Sequence, residues 1–71
     1  MAEEIRAEIV GNVLTVNVSE GEPIEKGATV IILESMKMEI PVITESAGVL
    51  RTIAVNVGDV VQEHDLIAVV E

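Results

Sequence analysis

Cysteine is absent from this 71-residue chain, and histidine occurs once, at His64. A disulfide framework, a thiolate metal site and a histidine cluster are thereby excluded. Phenylalanine, tyrosine and tryptophan are absent as well, which removes the aromatic platforms on which bases and sugars stack. Positive charge is scarce: 4 lysines and arginines stand against 13 aspartates and glutamates, for a formal net charge of −9. A surface of that sign repels phosphate backbones and anionic lipid head groups, which argues against nucleic acid and membranes as partners. It favours encounter with a basic docking face, and it makes monomer the default state. No apolar run is long enough to cross a bilayer, and Met1-Ala2-Glu3-Glu4 opens with acids where a secretory signal carries basic residues. The expected location is the cytoplasm. A chain of this length builds one small core, so the expectation is a single domain over residues 1–71.

What the sequence does contain is aliphatic. Hydrophobic residues make up 49%, mostly Val, Ile, Leu and Ala, a composition that excludes disorder and suits strands packed in a small barrel or sandwich. The chain also repeats itself. At an offset of 37 residues (48 − 11), Gly11 meets Gly48, Glu8 meets Glu45, Thr15 meets Thr52, Val18 meets Val55, Gly21 meets Gly58 and Glu34 meets Glu71. Between these identities fall conservative matches, such as Val13 with Leu50, Val16 with Ile53 and Val30 with Ile67, and no gap is needed. Two equal copies of one β motif, related by a pseudo-twofold axis and each covering the apolar face of the other, account for this pattern. Neither half is expected to fold alone.

Within each half the reading is strand, turn, strand. Leu14, Val16 and Val18 alternate with Thr15 and Asn17, as Ile53 and Val55 alternate with Thr52 and Ala54, the period of a half-buried strand. Gly21-Glu22-Pro23 and Gly58-Asp59 are turn chemistry. Val30 to Leu33 and Leu66 to Val70 are short continuous apolar runs, read as buried strands. No sustained helical period bounded by caps is present, so helix is expected to be nearly absent. Pro41 marks an edge or bulge position, because it cannot donate to a ladder. His64 stands where the repeat has Gly27, which points to a left-handed backbone position rather than to acid or base chemistry.

Glu34-Ser35-Met36-Lys37-Met38-Glu39 lies where the repeat breaks. With a strand ending at Leu33 and another beginning near Ile40, a tight turn must fall at Met36-Lys37, placing one of the two lysines on the seam between the halves. A lysine in a turn is ordinarily a solvated charge. Two methionines beside it either fold back into the core or form a surface to be recognised. Glu34 and Glu39 are either recognition charges or solvated strand ends.

Met36-Lys37-Met38, preceded by Glu34 and seated at the midpoint of a two-copy β domain, resembles the attachment motif of biotinyl domains. Val13 to Val18, Gly21-Glu22, Gly27, Leu33, Gly48 and Gly58-Asp59 extend the resemblance over nearly the whole chain, toward the stand-alone biotin/lipoyl attachment proteins. It implies an all-β fold, a flattened eight-stranded barrel or sandwich of two quasi-symmetric halves, without the thumb insertion of some carboxylase domains because the halves align without a gap. Ser35 stands where the family usually has Ala, a small-for-small change, and Ala7 to Gly11 lack the family's prolines.

The resemblance further implies that a biotin ligase joins biotin covalently to Lys37, that Met36, Met38, Glu34 and Ser35 form the recognition motif, and that the biotin carries carboxyl groups for biotin-dependent carboxylase components. A lysine amine is protonated near neutral pH, so the ligase must supply the base, and the chain itself is no enzyme. The absence of a linker or further segment suggests an independent small protein. A lipoyl carrier shares the fold and the hairpin lysine but commonly has Asp where this chain has Met36. An unmodified interaction module is the third reading.

Overall fold

The computed structural model describes residues 2–71, which form eight strands: β1 (Glu3–Arg6), β2 (Gly11–Val16), β3 (Pro23–Ile24), β4 (Thr29–Ser35), β5 (Met38–Ile43), β6 (Gly48–Ile53), β7 (Val60–Val61) and β8 (Leu66–Val70). They make two antiparallel four-stranded sheets, ordered β1-β8-β6-β3 and β5-β4-β2-β7. Shifting every residue by the repeat offset converts one order into the other: β1 falls on β5, β8 on β4, β6 on β2 and β3 on β7. Backbone bonds obey the same rule. Ala7 N–H donates to the Asp65 carbonyl as Thr44 N–H donates to that of Ala28, and Gly21 N–H donates to Leu50 as Gly58 N–H donates to Val13. Each sheet draws two strands from each half, so a half in isolation would keep only a two-strand remnant, β2 with β4 or β6 with β8.

The core follows from this interleaving. β4 and β8 are interior strands of their sheets, which is why they read as continuous apolar runs: Val30, Ile31 and Leu33 on one, Ile67, Ala68 and Val70 on the other, are buried. Each large aliphatic side chain so buried contributes roughly 1.5–3 kcal/mol. The sheets face one another but do not close at their edges, so the architecture is a sandwich rather than a continuous barrel.

One expectation about the core requires correction. Val13, not Leu14, is the deep residue of β2, because a bulge between Val13 and Thr15 inserts one residue opposite Leu33 and Ile32 of β4. A bulge reverses the inward and outward parity of everything beyond it. Leu14 occupies the extra position and is half-buried. The matching bulge in β6 lies between Leu50 and Thr52. Other local readings hold. Pro41 lies on β5, an edge strand, and His64 has φ of 77° where Gly27 has 86°.

The turn between β4 and β5 lies at the opposite end of β1 from the pairing of Glu3 with Val70. β1 starts beside Val70 and runs toward Val10, whose carbonyl lies against Ser35 at the base of that turn. Among the described residues no helix is long and apolar enough to cross a membrane.

Candidate functional site

β4 and β5 pair from Thr29 opposite Ile43 to Ser35 opposite Met38, leaving only Met36 and Lys37 to reverse the chain. Both have positive φ, 53° and 66°. A two-residue hairpin with both central residues in the left-handed region is a type I′ turn, whose twist matches that of the strands it joins. Such turns favour Asn-Gly. Here each L side chain at positive φ costs about 1–2 kcal/mol, so the turn residues are not those that stability alone would select. The place of the turn was legible in the sequence, and its type was not.

The turn presents its side chains to solvent. Met36 is 84% exposed and Met38 59%, so neither folds back into the core. Lys37 is exposed and makes no ion pair among the described residues. Glu34 and Glu39 stand directly opposite one another across β4 and β5, both exposed. Like charges in that relation disfavour pairing, so the base of the turn carries a second feature that does not serve the fold.

Ser35, between Glu34 and the turn, faces inward and is buried; its hydroxyl donates to the Val10 carbonyl at 2.8 Å. The change from Ala therefore has a consequence that size alone did not suggest, because it ties the hairpin to the connection between β1 and β2. Gly11 completes the clamp. A Cβ on Gly11 would lie 2.8 Å from the Glu34 carbonyl oxygen, so the two strands can approach as they do only with glycine there. Val10 and Gly11 were not among the expected site residues. The signal was present in the repeat, since Gly48, the mate of Gly11, makes the same close approach to Glu71.

Chemically, the site offers one primary amine at the tip of a rigid hairpin. The nearest carboxylates in sequence, Glu34 and Glu39, point into water, and no group of three or more His, Cys, Asp or Glu converges as a metal cage among the described residues. His64 takes part through its backbone: its N–H donates to Ala7, and its carbonyl accepts from Arg6. An exposed amine suits amide formation with a carboxylic acid cofactor that is activated elsewhere, and the double sheet anchors the hairpin that carries it.

A rigid sandwich presenting a lysine at its tip is the architecture of a covalent-cofactor carrier. The family model described as "Biotin-requiring enzyme", for the biotin/lipoyl family, matches residues 3–70, and the chain belongs to this family. It is 59% identical over 70 residues to the "Biotinylated protein TB7.3 homolog" of Mycobacterium leprae, with 99% of each chain covered. The "Biotin/lipoyl attachment protein" of Bacillus subtilis is 41% identical over 63 residues, covering 89% of this chain and 86% of that one. Among solved structures, urea carboxylase of Kluyveromyces lactis superposes with a TM-score of 0.94 at 34% identity, over 100% of this chain and 6% of that much longer one.

Proposed function

We propose that this chain is a biotin carrier in which the ε-amine of Lys37 is the attachment point and residues 1–71 act as one non-catalytic domain. Membership of the biotin/lipoyl family and high identity to a relative named for its biotinylation support the cofactor. The observation that carries the residue assignment is the turn itself: Lys37 stands fully presented on a two-residue hairpin between two exposed methionines, on a backbone strained to hold it there.

The roles divide by position. Lys37 supplies the nucleophilic nitrogen once a partner has removed its proton. Met36 and Met38 give a biotin ligase an apolar surface that adapts to its partner. Glu34 and Glu39 attract basic groups on that ligase. Ser35 acts from below, holding the hairpin to Val10. Biotin, when attached, supplies carboxyl-group transfer, and this chain provides its tether and its effective concentration at partner sites. Components of biotin-dependent carboxylases are the partners, a reading supported by the urea carboxylase likeness. The domain works as a monomer in the cytoplasm, where its net charge of −9 opposes self-association.

Intact mass after co-expression with a biotin ligase tests this directly. The parent gains one biotinyl amide and Lys37→Arg gains none. A parent that stays unmodified while a known biotin domain is labelled would overturn the reading, and a lipoyl increment in its place would reassign the cofactor.

A further inference from the structure

A groove of about 510 Å³ runs between β1 and β5, the edge strands of the two sheets. Its lining is organised by the pseudo-twofold: Glu3 and Ile40, Glu4 and Pro41, Ile5 and Val42, and Glu8 and Glu45 are mates at the repeat offset. The two walls nevertheless differ in chemistry. The β1 side carries Glu3, Glu4, Arg6 and Glu8 around Ile5, whereas the β5 side is Ile40, Pro41, Val42 and Ile43, with a single acid, Glu45, beyond the strand. The groove also departs from the symmetry in extent. Ile9 and Leu33 line it, and their mates Ser46 and Val70 do not. Ile9 adjoins Val10 and Leu33 lies two residues from Ser35, so the extension points to the hairpin end.

The groove comes within a few residues of the turn, at Leu33 and Ile40. Met38, Ile40 and Val42 alternate along one face of β5, and Ile40 is three positions from Lys37, about 10 Å at a strand's rise of roughly 3.4 Å per residue. A lysine stem and biotin's valeryl chain in series span that distance. We propose that this groove is an intramolecular resting site for the ring system of biotin carried on Lys37, an inference that rests on the carrier reading.

The ring system is neutral, with an apolar thioether part and a ureido part bearing N–H donors. The β5 wall receives the first, and the Glu8 carboxylate, which is not engaged as Glu3 is by Thr44 and Glu45 or Glu4 by Arg6, accepts from the second. The volume falls within the 300–1,000 Å³ range of small-molecule sites. An anionic occupant is disfavoured by the acids on the β1 wall. An added peptide strand is disfavoured on β5 because Pro41 offers no N–H to it.

Methyl-resolved NMR of the ligase-biotinylated protein tests the site. A second sample makes the test independent of any ligase: Lys37→Cys alkylated with a short biotin iodoacetamide is singly labelled, because the chain has no other cysteine. The same variant treated with plain iodoacetamide is the control. Ring protons are expected to show NOEs to the methyl groups of Ile9, Ile40 and Val42. Ile43→Glu, at a position already 49% exposed, charges the apolar wall without emptying the core. It is expected to abolish those NOEs and to speed streptavidin association at least about 2-fold, since binding draws only on the undocked fraction. Ring contacts confined to Met36, Met38 and Glu39, with an association rate unchanged by Ile43→Glu, overturn the groove. Failure of a ligase to label Lys37 overturns the carrier reading instead, and the alkylated sample still decides what the groove holds.

Discussion

If the turn holds two L residues at positive φ for the sake of what they present, replacing them with the residues that favour a type I′ turn must stabilise the protein. The perturbation is Met36→Asn together with Lys37→Gly. The left-handed conformation costs about 1–2 kcal/mol for each L residue. Asn tolerates that region better than Met, and Gly carries no Cβ to clash. Against the gain stands the greater freedom of glycine in the unfolded chain, roughly 0.5–1 kcal/mol. The net expectation is about 1.5 kcal/mol of added stability, or roughly 6–12 °C in Tm for a domain of this size. Thermal melting followed by far-UV circular dichroism reads the shift. Urea unfolding with an unchanged m-value shows that it arises from stability rather than from compactness. The same variant has no amine at the tip and takes no biotin. Met36→Asn alone keeps Lys37 and about half the gain, so its labelling rate isolates what the Met36 thioether gives the ligase. A Tm that is unchanged or lower in the double variant would show that the turn stores no strain and would refute this reasoning.

Gly11→Ala brings a Cβ to 2.8 Å from the Glu34 carbonyl oxygen and Gly48→Ala brings one to 2.6 Å from that of Glu71. Each is expected to lower stability by about 1–3 kcal/mol in urea titrations, and only Gly11→Ala, at the base of the hairpin, should also slow labelling of Lys37. Glu39→Lys turns the cross-strand pair with Glu34 from repulsive to attractive. It is expected to raise stability by about 0.5 kcal/mol or less, an effect that fades in high salt, while slowing ligase labelling measured by mass. Burial disfavours ionised Glu3, yet hydrogen bonds from the Thr44 hydroxyl and the Glu45 N–H outweigh it and hold its carboxyl below the usual range of 4.5. A depressed carboxylate stabilises the fold above its unfolded pKa, and that contribution disappears as pH falls through the folded value. Glu3→Gln is therefore expected to be less stable than the parent at pH 7 and equal to it near pH 2, in urea midpoints at each pH.

Much of this was readable because the chain states its pattern twice. The offset of 37 residues (48 − 11) predicts sheets related strand by strand, and the apolar runs around Ile31 and Ile67 predict the interior strands β4 and β8. His64 against Gly27 predicts a left-handed residue, and it has one. What escaped the sequence lies in parity and contact. Leu14 fits an alternating pattern as well as Val13 does, and only the bulge, set by pairing with β4, decides which faces inward. Ser35 looks like an incidental replacement of one small residue by another until Val10, 25 positions away, is seen to accept its hydrogen bond. The methionines were open between core and surface because exposure at a two-residue turn depends on φ, and Met36 and Lys37 are not residues that announce positive φ.

The repeat also bears on where the turn stands. Val70 pairs with Glu3 as Leu33 pairs with Ile40, so the place related by symmetry to the Met36-Lys37 turn lies beyond the pairing of Glu3 with Val70. The duplicated motif thus closes with a strained turn at one of two related places, beyond the pairing of Leu33 with Ile40, and the matching place lies beyond the pairing of β1 with β8. The strain at the turn is tolerable because the stabilising burial lies elsewhere, in β4 and β8, and the clamp at Ser35, Val10 and Gly11 couples the turn to that core. Loosening the clamp should leave the fold in place while the tip loses its fixed position, and for that reason variants at Gly11 and Gly48, alike in strain but opposite in location, separate stability from presentation of Lys37.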